Sequence, residues 1–279
     1  MIPSLTTSYI FDRRLLRQRR ARLCRASIDQ NRLFAFLQQQ LKVRLCLIKR
    51  DFQTILVLGD VELSNHFKQA QLWSFSPTAK FGVAQFDDEF LPFAPAQFDL
   101  IISFMEMHHF NDIPGFLQQV KFCLKPDGLF LSVFLGQDTL WQLRHAAQII
   151  EEKIYGGISP RVAPMVKLSD AAALMQRAGF TLPVVDMDQI EITYPNAERL
   201  IQDLKKGGLG NIMLERPTRF AEKQFLQQLT QFYDQHYQIP EGVGASFTAI
   251  YLSGWSAAPH QPKPLARGSA TAQLADFIK

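Results

Sequence analysis

The spacing of apolar positions changes along this chain and divides it into an arm and a body. Between Asp12 and Ile48 there is no Pro or Gly, and Leu33, Phe34, Leu37, Leu41, Leu45 and Ile48 recur at three- and four-residue steps. That period predicts an amphipathic helical arm within residues 1–50. From Thr54 onward, short β-branched or Leu-rich runs alternate with helical stretches. Thr54–Leu58, 72–75, 81–85, Phe98–Phe104 and 129–135 read as strands, and 61–70 and 113–124 as helices. The alternation predicts an α/β body with a mostly parallel sheet and helices on both faces. Such sheets bind ligands beyond the carboxyl ends of their strands, which gathers residues 59–63, 74–76, 86–89 and 103–109 around one crevice.

The second half is less regular. Residues 138–155 read as a helix broken by Gly156-Gly157, and 158–165, with two prolines, as a loop over the crevice mouth. Helices follow at 169–178, 197–206 and 218–236, with strands at 184–194 and 247–254. The body therefore runs over residues 51–256, and the Pro-, Ala-, Ser- and Gln-rich residues 257–279 read as a disordered tail.

Charge sharpens the division. Residues 1–50 carry twelve Lys and Arg against Asp12 and Asp29, a net of +10, whereas the remaining 18 basic and 24 acidic residues leave the rest at −6. Two readings of the arm stay open. Arg13, Arg14, Arg17, Arg19, Arg20 and Arg22 form a solvated face, or they meet an anionic partner surface such as lipid or an acidic protein patch. No nucleic-acid-binding module accompanies the charge, so nucleic acid is not expected as a partner. Cys24, Cys46 and Cys123 are too few and too widely spaced for a disulfide framework or a C-x-x-C site. A reducing, cytoplasmic setting fits them, and no apolar run is long enough for a spanning helix.

Four segments carry a family resemblance. Residues 54–60, 85–93, 98–103 and 124–130 resemble, in sequence and spacing, the strand signatures of class I S-adenosylmethionine-dependent methyltransferases. A closer likeness covers nearly the whole chain. Phe11-Asp12-Arg13, Leu135-Gly136-Gln137-Asp138-Thr139-Leu140, residues 157–162 and Tyr251-Leu252-Ser253-Gly254-Trp255 are similar to the methyltransferase-fold assembly factors of respiratory complex I and their bacterial relatives. The malonyl-carrier-protein methyltransferases of biotin synthesis are a more distant likeness. The resemblance implies a Rossmann-like, seven-stranded sheet with a lid and S-adenosylmethionine as cofactor. It also implies modification of a protein client such as a complex I subunit, by methylation or arginine hydroxylation. Phe11 would begin the domain, which counts against a cleaved transit peptide, and the basic arm would be the route to any peripheral contact with the inner membrane.

The cofactor loop departs from the family pattern. Val57 stands at the acidic position that precedes the glycines, Gly59 is the first glycine, and Val61 and Leu63 replace the second and third. Ser74 occupies the place of the ribose-binding carboxylate. Losing charge-assisted hydrogen bonds at roughly 1.5–3 kcal/mol each is enough to move a micromolar site toward millimolar. The site is therefore read as degenerate, either binding S-adenosylmethionine weakly or repurposed as a non-catalytic assembly chaperone. Candidate cofactor contacts are Gly59, Asp60, Ser74, Asp87, Asp88, Ser103 and His108. Asp87 and Asp88 suit the adenine end, or form a solvated acidic turn. The resemblance implies a place for His108 in the cofactor wall. Metal ligation by His108, His109, Glu106 and Asp112 is disfavoured because adjacent residues seldom point at one ion, and no catalytic residue is assigned. Tyr155, Arg161 and Tyr194 fall in segments read as lid, and Asp186 and Asp188 share a strand face.

Overall fold

The computed structural model describes residues 9–23, 31–75, 87, 89–217 and 222–262. Among its described residues the arm forms α1 (Arg13–Ala21) and α2 (Arg32–Cys46) rather than one continuous helix. Asp12 caps α1 by accepting from the Leu15 N–H at 2.8 Å, and Asn31 caps α2 by accepting from Phe34 N–H at 3.1 Å. A cap at position 31 marks a fresh helix start, which the apolar spacing alone did not reveal.

The body is a sheet of β1 (Thr54–Leu58), β2 (Gln71–Phe75), β3 (Phe98–Phe104), β4 (Leu124–Leu135), β5 (Thr181–Tyr194), the two-residue β6 (Gln238–Ile239) and β7 (Gly242–Trp255). Its order is β2-β1-β3-β4-β7-β5, with β6 on β7. Pairing is parallel from β2 to β4 and antiparallel where β7 inserts between β4 and β5. The sheet is therefore mixed, parallel only in its first half. The strand expected at 81–85 lies outside the described residues, as do Asp88, Cys24 and residues 263–279 of the expected tail. Gln261 is described: it is buried and donates to Asp127 at 2.7 Å.

The helices α3 (Ile113–Cys123), α4 (Trp141–Tyr155), α5 (Leu168–Arg177), α6 (Ala197–Lys206) and α7 (Lys223–His236) cover the sheet. Ile55 and Val57 face a core built with α2, α4, α6 and α7, while Leu56 and Leu58 face a second core with α3 and α5. Burial on both faces is why β1 reads as an unbroken apolar run. The helix expected over 61–70 is absent. Glu62 accepts from both the N–H and the hydroxyl of Ser64, and isolated bonds such as His66 N–H to the Leu63 carbonyl close separate turns. Local side-chain bonding competes with helix here, and Leu63 is buried in the core where a glycine turn would lead into a helix.

Candidate functional site

The crevice begins at Gly59. Its φ of +102° and a backbone so close to the Phe104 carbonyl that any Cβ would collide with it make glycine obligatory. Gly59 N–H donates to the Phe75 carbonyl at 2.9 Å, which ties the ends of β1 and β2 together beside half-buried Ser74. A short 3-10 turn, Met107–His109, follows β3 and brings Glu106 against Gly59. Ser103 is fully buried within β3, its hydroxyl without a partner among the described residues. Asp60 is half-buried at the crevice edge.

The arm closes this crevice. Phe11 pairs as an isolated bridge with Met213, and Asn111 Oδ1 accepts from the N–H groups of Ile10 and Phe11 at 2.9 and 2.8 Å. Phe11, Leu16, Ile212 and Met213 form a small core of their own. With α1 fixed, Arg13, Arg17 and Arg20, spaced i, i+4, i+7 on one helix face, turn toward the body's acids. Arg13 donates to Asp87 at 2.9 Å and to the His109 carbonyl at 3.2 Å, and lies 3.5 Å from Glu89. Arg17 reaches the other Asp87 oxygen at 2.7 Å. Arg20 pairs with Glu106, both almost completely buried. Arg19 donates to the Asn211 carbonyl at 2.7 Å. Neither reading of the arginine-rich stretch as wholly outward-facing holds: Arg14, Arg17 and Arg22 are exposed, and Arg20 is inside.

These contacts set the electrostatics. Burial pushes the Asp87 carboxyl up, but the hydrogen bond and charge of Arg13, the Glu89 N–H and the charge of Arg17 outweigh it and hold the group below its ordinary range. Glu89 goes the other way, raised by burial despite the N–H groups of Asp112 and Asn111 and the charge of Arg13. Burial, with Arg20 adding to it, lowers His108 to about 3. His109 is also held well below its usual value, by burial and then by His108, Arg20 and Arg13. Both imidazoles are therefore neutral at ordinary pH.

Behind the His108–His109 turn lies a cavity of about 260 Å³ walled by Leu143 and Ala147 of α4, Leu204 of α6, Ile212, and Phe225 and Leu229 of α7. His108 lines it, and neither of its ring nitrogens has a hydrogen-bond partner among the described residues. The predicted loop over 158–165 also lines it through Arg161, Val162 and Met165. Arg161 is held by buried Glu151 at 2.6 Å, so it serves the loop before any ligand. Tyr155 stacks at the cavity edge on Phe225. Tyr194 is not a lid residue: it ends β5, is buried, and donates to Asp203 at 2.9 Å. Asp186 and Asp188 share Arg44, at 2.8 and 3.5 Å. Of the possible metal donors, Glu106 is taken by Arg20, and Asp112 caps α3 by accepting from Gly115 N–H.

A methyltransferase domain family model matches residues 47–184, the segment that holds β1 to β4 and the Gly59 turn. The chain belongs to the class I methyltransferase-fold family. Solved structures agree at the level of fold: the YcgJ protein of Bacillus subtilis superposes with a TM-score of 0.51 at 17% identity, over 80% of this chain and 99% of that one. Among curated proteins, this methyltransferase-fold chain is 32% identical over 229 residues to the mitochondrial arginine-hydroxylase NDUFAF5 of Mus musculus, covering 82% of this chain and 66% of that protein. Its identity to the Homo sapiens protein of the same name is 35% over 193 residues, covering 69% and 56%. A malonyl-[acyl-carrier protein] O-methyltransferase of Methylovorus sp. (strain MP688) is 31% identical over 169 residues, covering 61% and 55%. The chain thus spans about two thirds or less of the length of these relatives.

The predicted strand ends and the family resemblance pointed to Gly59, Asp87 and His108 but not to their partners. Glu106 appeared only as a disfavoured metal ligand, although the 13/17/20 spacing could have signalled a helix face seeking carboxylates.

Proposed function

We propose that this protein is an enzyme that binds S-adenosylmethionine in the crevice beneath α1 and acts on an acceptor reaching the cavity behind His108. The observation that carries this reading is His108 itself, a neutral, buried imidazole that lines the cavity and whose ring nitrogens have no partner among the described residues. A residue with a purely structural role would be hydrogen-bonded, because an unpaired buried polar group costs about 1–3 kcal/mol.

The residues present fit the cofactor in part. Gly59, Asp60, Ser74 and Asp87 would hold it, with Ser103 and His108 completing the surroundings; Asp88, also expected there, lies outside the described residues. When bound, it supplies a transferable methyl group. What this chain's own residues do is orient and exclude water: α1 covers the crevice and the His108–His109 turn separates it from the acceptor space. The relatives named arginine-hydroxylases support a protein client, which we take to be a subunit met during assembly of respiratory complex I. No helix among the described residues is long and apolar enough to cross a membrane.

A second reading, a non-catalytic assembly chaperone, is favoured by one observation: Asp87 is already held by two arginines of the arm. Calorimetric titration of the full chain with S-adenosylmethionine and S-adenosylhomocysteine separates the two. Submillimolar binding that Asp87→Ala abolishes supports the enzyme. Absence of heat at several millimolar for both ligands refutes it in favour of the chaperone.

A further inference from the structure

We infer that the cavity behind His108 takes an uncharged guest with an apolar body and a hydroxyl group, a phenol or alcohol, and excludes a guanidinium. This rests on reading that cavity as the acceptor site and names the chemistry it accepts.

Three features of the lining lead there. The walls from Leu143, Ala147, Leu204, Phe225 and Leu229 are apolar, so the bulk of the guest gains by leaving water. The inner end presents His108, whose neutral ring has one N–H donor and one bare nitrogen acceptor, both unpaired among the described residues. A hydroxyl is the smallest group that both donates and accepts, so it can satisfy whichever nitrogen faces it. Finally, among the described residues no carboxylate lines the cavity, while Arg161 and Lys205 do. Glu151, the nearest acid to the loop, is buried and committed to Arg161 and to the N–H and hydroxyl of Ser159. Glu106 is committed to Arg20. A guanidinium entering the cavity would shed its hydration and meet no uncommitted counter-charge, and a carboxylate would meet only the exposed Lys205, since Arg161 is already matched by Glu151; buried charges persist only when paired. The arginine of the relatives' name is therefore not the group this cavity is built for.

The test uses the full-length protein and four probes of matched bulk in calorimetry: 4-butylphenol, butylbenzene, 4-butylbenzoate and 4-butylphenylguanidinium. A fifth, N-acetyl-L-tyrosinamide, asks whether the hydroxyl comes on a polypeptide side chain or on a free small molecule. The phenol is expected to bind at least tenfold more tightly than butylbenzene and than either charged probe. In His108→Phe that preference should vanish while butylbenzene binds as before, and in Ala147→Trp, which fills the cavity, all probes should lose binding. Guanidinium or benzoate binding equal to or tighter than phenol in the unaltered protein overturns the inference without recourse to any variant. So does a phenol preference that survives His108→Phe. Because the probes are titrated without cofactor, failure of S-adenosylmethionine to bind refutes the enzyme reading while leaving this ranking standing, and the reverse outcome is equally distinct.

Discussion

Replacing Arg20 by Met tests whether the arm is part of the site. Arg20 and Glu106 are 9% and 3% exposed and form a direct ion pair, so the substitution strands a carboxylate in a dry environment while roughly preserving side-chain bulk. Breaking a buried pair from one side costs about 3–5 kcal/mol, most of it the penalty on the abandoned partner. Removing both charges should be much milder, since an isosteric neutral pair has little to desolvate. Arg20→Met is therefore expected to lower stability by about 3–5 kcal/mol, and Arg20→Met with Glu106→Gln to recover at least half of that. Urea unfolding provides the measurement. With a slope of roughly 3 kcal/mol per molar, the single variant's midpoint falls by about 1–1.7 M. The deficit should shrink on acidification, because a protonated carboxyl tolerates the site. A single variant within about 0.5 kcal/mol of the unaltered protein, or a double variant no better than the single, would refute the claim that this pair anchors α1 over the crevice.

Other outcomes follow from the same geometry. Gly59→Ala places a Cβ against the Phe104 carbonyl at positive φ and should lower stability by at least the roughly 1–3 kcal/mol of such backbone strain, read as a fall in thermal midpoint. His108 is lowered to about 3 in the folded protein, so the unfolded chain binds its proton first. Stability from this residue is intact above about pH 6.5 and lost at about 1.4 kcal/mol per pH unit as pH falls toward 3. Comparing urea midpoints at about pH 7 and about pH 5, His108→Leu should show a smaller acid loss than the unaltered protein by roughly 2 kcal/mol, with the opposite contribution of Glu89 cancelling in the comparison. An equal acid loss in both proteins would contradict the buried neutral state. Arg17→Ala, which releases one of two cations from Asp87, should tighten S-adenosylmethionine binding in the same calorimetric assay in which Asp87→Ala weakens it. Arg161→Ala leaves Glu151 without its counter-charge under the 158–161 loop, only the Ser159 hydrogen bonds remaining, and should speed limited proteolysis near Gly156-Gly157.

The parts of this fold that were legible in the sequence are those governed by local period. Thr54–Leu58, Phe98–Phe104 and Ala197–Lys206 appear with the boundaries their patterns predict, because burial on two faces gives an unbroken apolar run and burial on one gives a helical stripe. The antiparallel insertion of β7 between β4 and β5 was not legible, since pairing partners far apart in sequence leave no periodic trace. The 61–70 segment misled for a different reason: Ser64 and Asn65 sit in an otherwise helix-compatible run, and the Glu62–Ser64 bonds decide for turns. At the site, Gly59 was readable because only glycine fits its backbone, whereas Tyr194 was misplaced because nothing local distinguishes a lid tyrosine from one whose hydroxyl is spoken for by Asp203.

The charge asymmetry takes on a different meaning once α1 is seen in place. A +10 arm beside a −6 body suggests a cationic probe reaching outward, yet Arg13, Arg17 and Arg20 satisfy Asp87, Glu89 and Glu106 of the same chain. Complementarity within the molecule takes up three of the six arginines, Arg13 to Arg22, that looked like a docking face. Reversing Arg20 would then test folding, not association. The substitutions that isolate an outward role are Arg14→Glu and Arg22→Glu, at exposed positions for which the structure shows no ion pair among the described residues. If these weaken binding to vesicles containing anionic lipid, or to a client, while urea midpoints hold, the arm has two faces with separate duties. If binding is unaltered, the arm's charge serves the crevice alone, and the Phe11-Asp12-Arg13 sequence is explained in full by a core aromatic, a helix cap and a cation for Asp87.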